Sequence, residues 1–233
     1  EPPHPGTDKV KIHSGIMLEP VKNREYRSFI IFIFFFYLFL TMSSSFTPLY
    51  LIRYLHFDYS FISFVNVISY LIMIACTRLW GRTESKRGIR FVLKTTALFI
   101  VTEFLVYSFL NNRTFYLLFL TPIISGIGNG GFNVAIFTYR YEIMPDKNKT
   151  AYEGWFATAF GLSQLIAPVI GNFLLARMPA ITNAVYQHSN FQFLYLTSFV
   201  LAGCVTIATF FKPPRRPSKM KVRCALNRKG NMC

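Results

Sequence analysis

Ser125 to Val134 reads SGIGNGGFNV, and within it Gly126, Gly128 and Gly131 stand at the spacing G-x-G-x-x-G. A dinucleotide-binding turn uses that spacing, but it needs a strand before it and a helix opening into solvent, because the pyrophosphate rests on exposed helix N–H groups. Here the glycines lie inside an uncharged run from Thr114 to Tyr139, with Arg140 at its end. A run of that length spans the roughly 30 Å hydrocarbon core of a bilayer as a helix. In lipid, small residues four apart let helices approach closely. Gly126 and Gly130 form one such pair, and Gly128, Gly131 and Ala135 line an adjoining face. Ser125, Asn129 and Asn133 recur at four-residue intervals and so form a polar stripe beside them. The stretch therefore reads as helix packing beside a polar lining.

Five further runs have a similar length. They are Ser28 to Ile52, Tyr59 to Thr77, Phe91 to Leu110, Gly154 to Ala176 and Phe191 to Phe211. Only the run from Phe91 carries charges, Lys94 and Glu103. Backbone polar groups find no water in lipid, so each run is expected to be a helix. The composition agrees, with 52% hydrophobic residues and 26 Phe in 233 residues. The expected fold is an all-α membrane protein with six transmembrane helices over 28–211, a cytoplasmic linker over 1–27 and a basic cytoplasmic tail over 212–233.

The net charge of +15 suggests nucleic acid only if the basic residues form one soluble surface. They do not. Of the 25 Lys and Arg, all but Arg53, Arg113 and Arg177 fall on one side when the gaps between runs are assigned alternately. Loops rich in Lys and Arg stay cytoplasmic, so both termini are expected inside, and nucleic acid is not an expected partner. Anionic lipid headgroups are expected at the tail. His4, His13, His56 and His188 all fall outside the runs, and Cys76, Cys204, Cys224 and Cys233 have no metal-ligand spacing. No metal, cofactor or catalytic set is expected, and an enzyme is the weaker class.

Polar faces recur in other runs. Thr41, Ser44, Ser45 and Pro48 share one face of the first, and Gly161, Gln164, Pro168 and Gly171 one face of the fifth. A Ser in a membrane helix most often bonds its own backbone, but an amide is costly to leave facing lipid. Ser44, Ser45, Asn129, Asn133 and Gln164 are therefore the candidate solute contacts. Gly126, Gly130, Pro168 and Gly171 are the candidate packing positions. Glu103 is a functional suspect because it is an intramembrane carboxylate, although Tyr107, one turn on, could give it a local hydrogen bond.

Residues 46–94 resemble the seventh and eighth helices and following loop of a major facilitator superfamily transporter, and residues 126–172 resemble the tenth and eleventh. The loop pattern in that family is G-x-L-x-D-R-x-G-R-R. Gly81, Lys86, Gly88 and Arg90 fill matching places, while the acidic position holds Ser85, with Glu84 one residue early. Glu142, Pro145 and Lys149 match E-x-x-P followed by a basic residue. Pro168 and Gly171 match two places of a G-P-x-x-G-G element. The resemblance implies one six-helix half of a twelve-helix secondary transporter, built of two inverted three-helix repeats, with its partner the missing N-terminal half and its ligand a small solute. It implies that the first and fourth spans line the cavity, the second and fifth face the missing half, and the third and sixth are peripheral. It also implies a gating role for Gly81, Lys86, Gly88 and Arg90, and a plasma-membrane location. A self-contained six-helix homodimeric transporter or channel, or a membrane scaffold subunit, remains open from the residues alone.

Overall fold

The computed structural model describes residues 14–145, 148–178 and 189–210. The expected basic tail lies outside them, as do the first 13 residues. Within them the chain forms α1 (Ser14–Lys22), α2 (Arg24–Ser44), α3 (Thr47–Leu49), α4 (Tyr59–Arg87), α5 (Ile89–Ser108), α6 (Thr121–Ile143), α7 (Lys149–Arg177) and α8 (Ser189–Phe210). The described residues form no strand.

Local chemistry sets the helix ends. The Asn23 side chain accepts from the backbone N–H of Glu25 and Tyr26 and so caps α2. Asp58 does the same for α4 through Ser60. At the other end of α4, Gly88 adopts φ +82° and ψ 156°, a region essentially confined to glycine. Because α5 starts at Ile89, the stretch that reads as a loop in the sequence is a one-residue corner.

The first hydrophobic run is not one straight helix. Pro48 has no N–H to give the Ser44 carbonyl, so the chain tightens at Ser45 and Phe46, restarts as α3 and ends in a π-helical turn over Tyr50–Tyr54. The fourth run is broken in a related way. A 3₁₀ turn over Phe115–Phe119 precedes Thr121 and Pro122, and the Thr121 hydroxyl donates to the Leu118 carbonyl that Pro122 cannot reach.

Among the described residues, five stretches are long and apolar enough to cross a membrane: Arg24–Tyr54, Tyr59–Arg87, Phe115–Ile143, Lys149–Arg177 and Ser189–Thr209. The α5 helix, which carries Arg90, Lys94 and Glu103, is not among them, although it packs between α6 and α8. The helices pair in the order α4, α6, α5, α8, α2, α7, each packing mainly on its neighbour in that series. Contact is slight between α4 and α5, between α7 and α8, and between α2 and α6. The core is aromatic, with Phe36 and Phe132 5.0 Å apart and Tyr37 and Phe160 4.7 Å apart. Burial is uneven. Some 44% of the most apolar stretch is buried for α2 and for α6, but only 6% for α4 and 22% for α7. The outer members of the series thus present Phe64, Val67, Tyr70, Leu71 and Ile74, and Leu162, Leu165, Val169 and Phe173.

Candidate solute site

The glycines of α6 bring two neighbours unusually close. A Cβ built on Gly126 would lie 2.7 Å from Ile72 Cβ, and one on Gly130 would lie 2.7 Å from the Met73 carbonyl oxygen, both on α4. On the adjoining face, a Cβ on Gly128 would lie 2.9 Å from Ile100 of α5, and one on Gly131 would lie 2.5 Å from Thr96 and 2.6 Å from the Trp80 ring. With the backbones so near, Thr77 donates to the Gly130 carbonyl and the Trp80 indole to the Ile127 carbonyl. In α7, Gly171 sits against the Met42 carbonyl of α2 and the Phe46 ring between α2 and α3, while Pro168 is half-buried.

The stripe Ser125, Asn129 and Asn133 divides. The Asn129 amide donates to the Ser125 carbonyl and hydroxyl, at 3.0 and 3.1 Å, within its own helix. Asn133 is exposed, and its amide meets Met73 Sδ of α4 at 3.9 Å. Gln164 is half-buried and accepts from the Thr41 hydroxyl at 3.1 Å, which ties α7 to α2. Ser44 and Ser45 are exposed, and the Ser45 hydroxyl donates to the Thr41 carbonyl. Thr41 thus links Gln164 and Ser45 into one polar patch. Asn129 and Asn133 belong to another, on the α6 side. Prolines add to the first patch: Pro48 and Pro168 withhold a helical donor from the Ser44 and Gln164 carbonyls, leaving them available to a ligand.

Glu103 lies beside both Tyr107, one turn on, and Ser125 of α6, whose hydroxyl oxygen accepts from Asn129. Tyr107 also lies near Thr121, whose hydroxyl donates to the Leu118 carbonyl, and its ring stacks on Tyr195 of α8 at 5.2 Å. Tyr195 donates to Thr47 at 3.0 Å. Glu103 therefore belongs to a polar seam joining α5, α6 and α8, with no ion pair among the described residues.

At the basic end of the bundle, Arg90 pairs with Glu25 at 2.8 Å, both half-exposed, and lies 5.8 Å from the Tyr139 ring. Gly81 and Gly88 have open space around them, and Lys86 is exposed. Sequence reasoning missed a second ion pair, Arg140 with Glu153, 3.2 Å apart. Its only signal is the placement of a charge at each end of the short α6–α7 connection. The corner also gives a clean test of gating. Arg90→Ala removes a surface ion pair of about 0.2–1 kcal/mol, so membrane abundance should hardly change, while transport slows severalfold if the Arg90–Glu25 contact differs between conformations. Unchanged turnover in Arg90→Ala, set beside the parent in a transport assay, would reduce the corner to a topology signal.

A family model of the Major Facilitator Superfamily matches residues 29–223. The chain belongs to this superfamily. A curated relative, the tetracycline resistance protein, class H, of Pasteurella multocida, is 30% identical over 122 residues. That match covers 51% of this chain and 30% of the relative, so the chain corresponds to about a third of its length. Membership places the chain in a superfamily of multi-pass integral membrane transporters, which are not enzymes.

Proposed function

We propose that this chain acts as the C-terminal half of a secondary active transporter, carrying a small solute across the plasma membrane by alternating access, with both termini cytoplasmic. The pairing order of the helices is the observation that carries the reading. Taking α5 as a sixth span, the runs α2–α4–α5 and α6–α7–α8 can be exchanged and every major contact maps onto another: α4 on α6 becomes α7 on α2, α5 on α6 becomes α8 on α2, and α5 on α8 is unchanged. Two inverted repeats pack in this way. In this reading α2 and α6 line the path, and the bare apolar faces of α4 and α7 meet the missing N-terminal half. A second copy of the chain would have to cover the same faces if the protein were self-contained.

Ser44, Ser45, Asn129, Asn133 and Gln164 remain the proposed solute contacts, with Gly81, Lys86, Gly88 and Arg90 at the gate. Tetracycline, in the name of the Pasteurella relative, is the first solute to assay, because Asn133 and Gln164 each stand one helical turn from an exposed ring, Phe137 and Phe160, a pairing that suits a flat amphipathic molecule. The test is transport per folded molecule across solute concentration and pH. Asn133→Ala is expected to shift apparent affinity about threefold or more, the cost of about one neutral hydrogen bond, and Glu103→Gln to act mainly on abundance through the seam with Ser125. If Glu103→Gln abolishes pH-dependent transport in well-folded protein while Asn133→Ala matches the parent, the working site lies on α5 instead.

A further inference from the structure

A cleft of about 430 Å³ lies outside the proposed solute path, at the corner between α4 and α5, lined by Trp80, Thr83, Lys86, Arg87, Phe91 and Thr95. Its level in the membrane follows from length. The 29 residues of α4 rise about 43 Å, which exceeds a hydrocarbon core of about 30 Å. The uncharged part, Tyr59 to Thr77, fills that core, so the segment with Arg78, Arg82, Lys86 and Arg87 stands among the headgroups. Trp80 lies at the start of this segment, its indole turned back to the Ile127 carbonyl at 2.9 Å.

The donors in the cleft are cationic. Both threonine hydroxyls turn back onto their own helices, Thr83 to the Leu79 carbonyl and Thr95 to the Phe91 carbonyl. That leaves the Lys86 ammonium and the Arg87 guanidinium, the latter held 5.1 Å above the Phe91 ring. Stacking of this kind fixes a guanidinium while leaving its N–H edge open to phosphate oxygens. A larger neighbouring cleft shares Arg87 but contains Glu84 and Glu142, which disfavour an anion. Below the smaller cleft the surface is apolar and open, with Leu79 on α4 and Phe91 and Phe99 on α5 exposed.

We infer that this cleft binds the headgroup of an anionic glycerophospholipid, with Lys86 and Arg87 on the phosphate, Trp80 and Phe91 as the floor, and an acyl chain along the lane past Phe99. Free phosphate shares the anionic chemistry but has no use for the aromatic floor or the apolar lane.

The protein has two tryptophans, so Trp155→Phe leaves Trp80 as the sole reporter within the cleft. In bilayers of phosphatidylcholine, brominated phosphatidylglycerol should quench Trp80 with an apparent association about fivefold stronger than brominated phosphatidylcholine. Lys86→Gln with Arg87→Gln should erase that preference, each single variant should lose part of it, and Arg78→Gln with Arg82→Gln, which removes the same charge outside the cleft, should keep it. The thermal transition of each variant checks folding, and the single variants decide if the double variant fails to fold. The inference is overturned by equal quenching from the two lipids, by equal loss in the two double variants, which means diffuse attraction, or by loss of the preference in inorganic phosphate at tens of millimolar and matched ionic strength, which means a free-anion site.

Discussion

Gly130→Ala is expected to destabilise the folded bundle by about 2–3 kcal/mol, although it adds a single methyl group. The new Cβ would stand 2.7 Å from the Met73 carbonyl oxygen and 3.3 Å from the Thr77 nitrogen, and both are backbone atoms that no rotamer change can move. Relief requires α4 and α6 to separate, which lengthens the bond from Thr77 to the Gly130 carbonyl. Gly161→Ala is the comparison. Nothing lies within 4 Å of that position, and alanine in a helix interior is favoured over glycine by about 0.5–1 kcal/mol. The two variants should therefore shift an SDS unfolding midpoint in opposite directions. Equal and small shifts would mean that α4 and α6 have room to spare, and the close approach would carry no weight.

The second large effect is expected at the α6–α7 connection. Arg140 Nε lies 3.2 Å from Glu153 Oε1 but out of line for a hydrogen bond, so the attraction is Coulombic, and the guanidinium also stacks 4.2 Å over the Phe156 ring. The two side chains are 13% and 33% exposed. Removing one partner leaves the other charge poorly solvated, and Arg140→Gln or Glu153→Gln should each cost about 2–4 kcal/mol. The pair Glu25 and Arg90, at about half exposure on both sides, should cost under about 1 kcal/mol by the same measure. A double-mutant cycle on Arg140 and Glu153 reads the coupling directly. Coupling no larger than that of Glu25 with Arg90 would rule out burial as the source of its strength.

Membrane-length helices were legible because lipid leaves the backbone no alternative, so an uncharged run of sufficient length is already a structural statement. The run from Phe91 shows the limit of that rule. Lys94 and Glu103 dilute its apolar character, and only its neighbours α6 and α8 indicate that it sits inside the bundle. The breaks at Phe46 and Leu120 carry a Thr-Pro signature that composition cannot distinguish from a tolerated kink. Partners of polar groups were the least visible feature. Four-residue spacing groups Ser125, Asn129 and Asn133 on one side, yet a helix face is wide enough for Asn129 to turn back onto Ser125 while Asn133 meets Met73 on α4. The one-residue corner at Gly88 was hidden for a different reason. Charged residues usually signal a loop, whereas here they continue α4 beyond the bilayer core.

The crossed pairing of the helices also constrains how the chain can be made. At the ribosome, α2 and α4 emerge before the helices they pack on: the partner of α4 is α6, and the partners of α2 are α7 and α8. At about 5–20 residues per second, several seconds pass between the synthesis of α4 and that of α6. During that interval Gly126 and Gly130 do not yet exist, and the surface they will cover must be held by lipid or by the insertion machinery. Truncation after α5 therefore leaves no smaller native unit, only helices waiting for neighbours. Quality control acting on this protein should recognise most nascent chains as unfinished until α8 has entered the membrane.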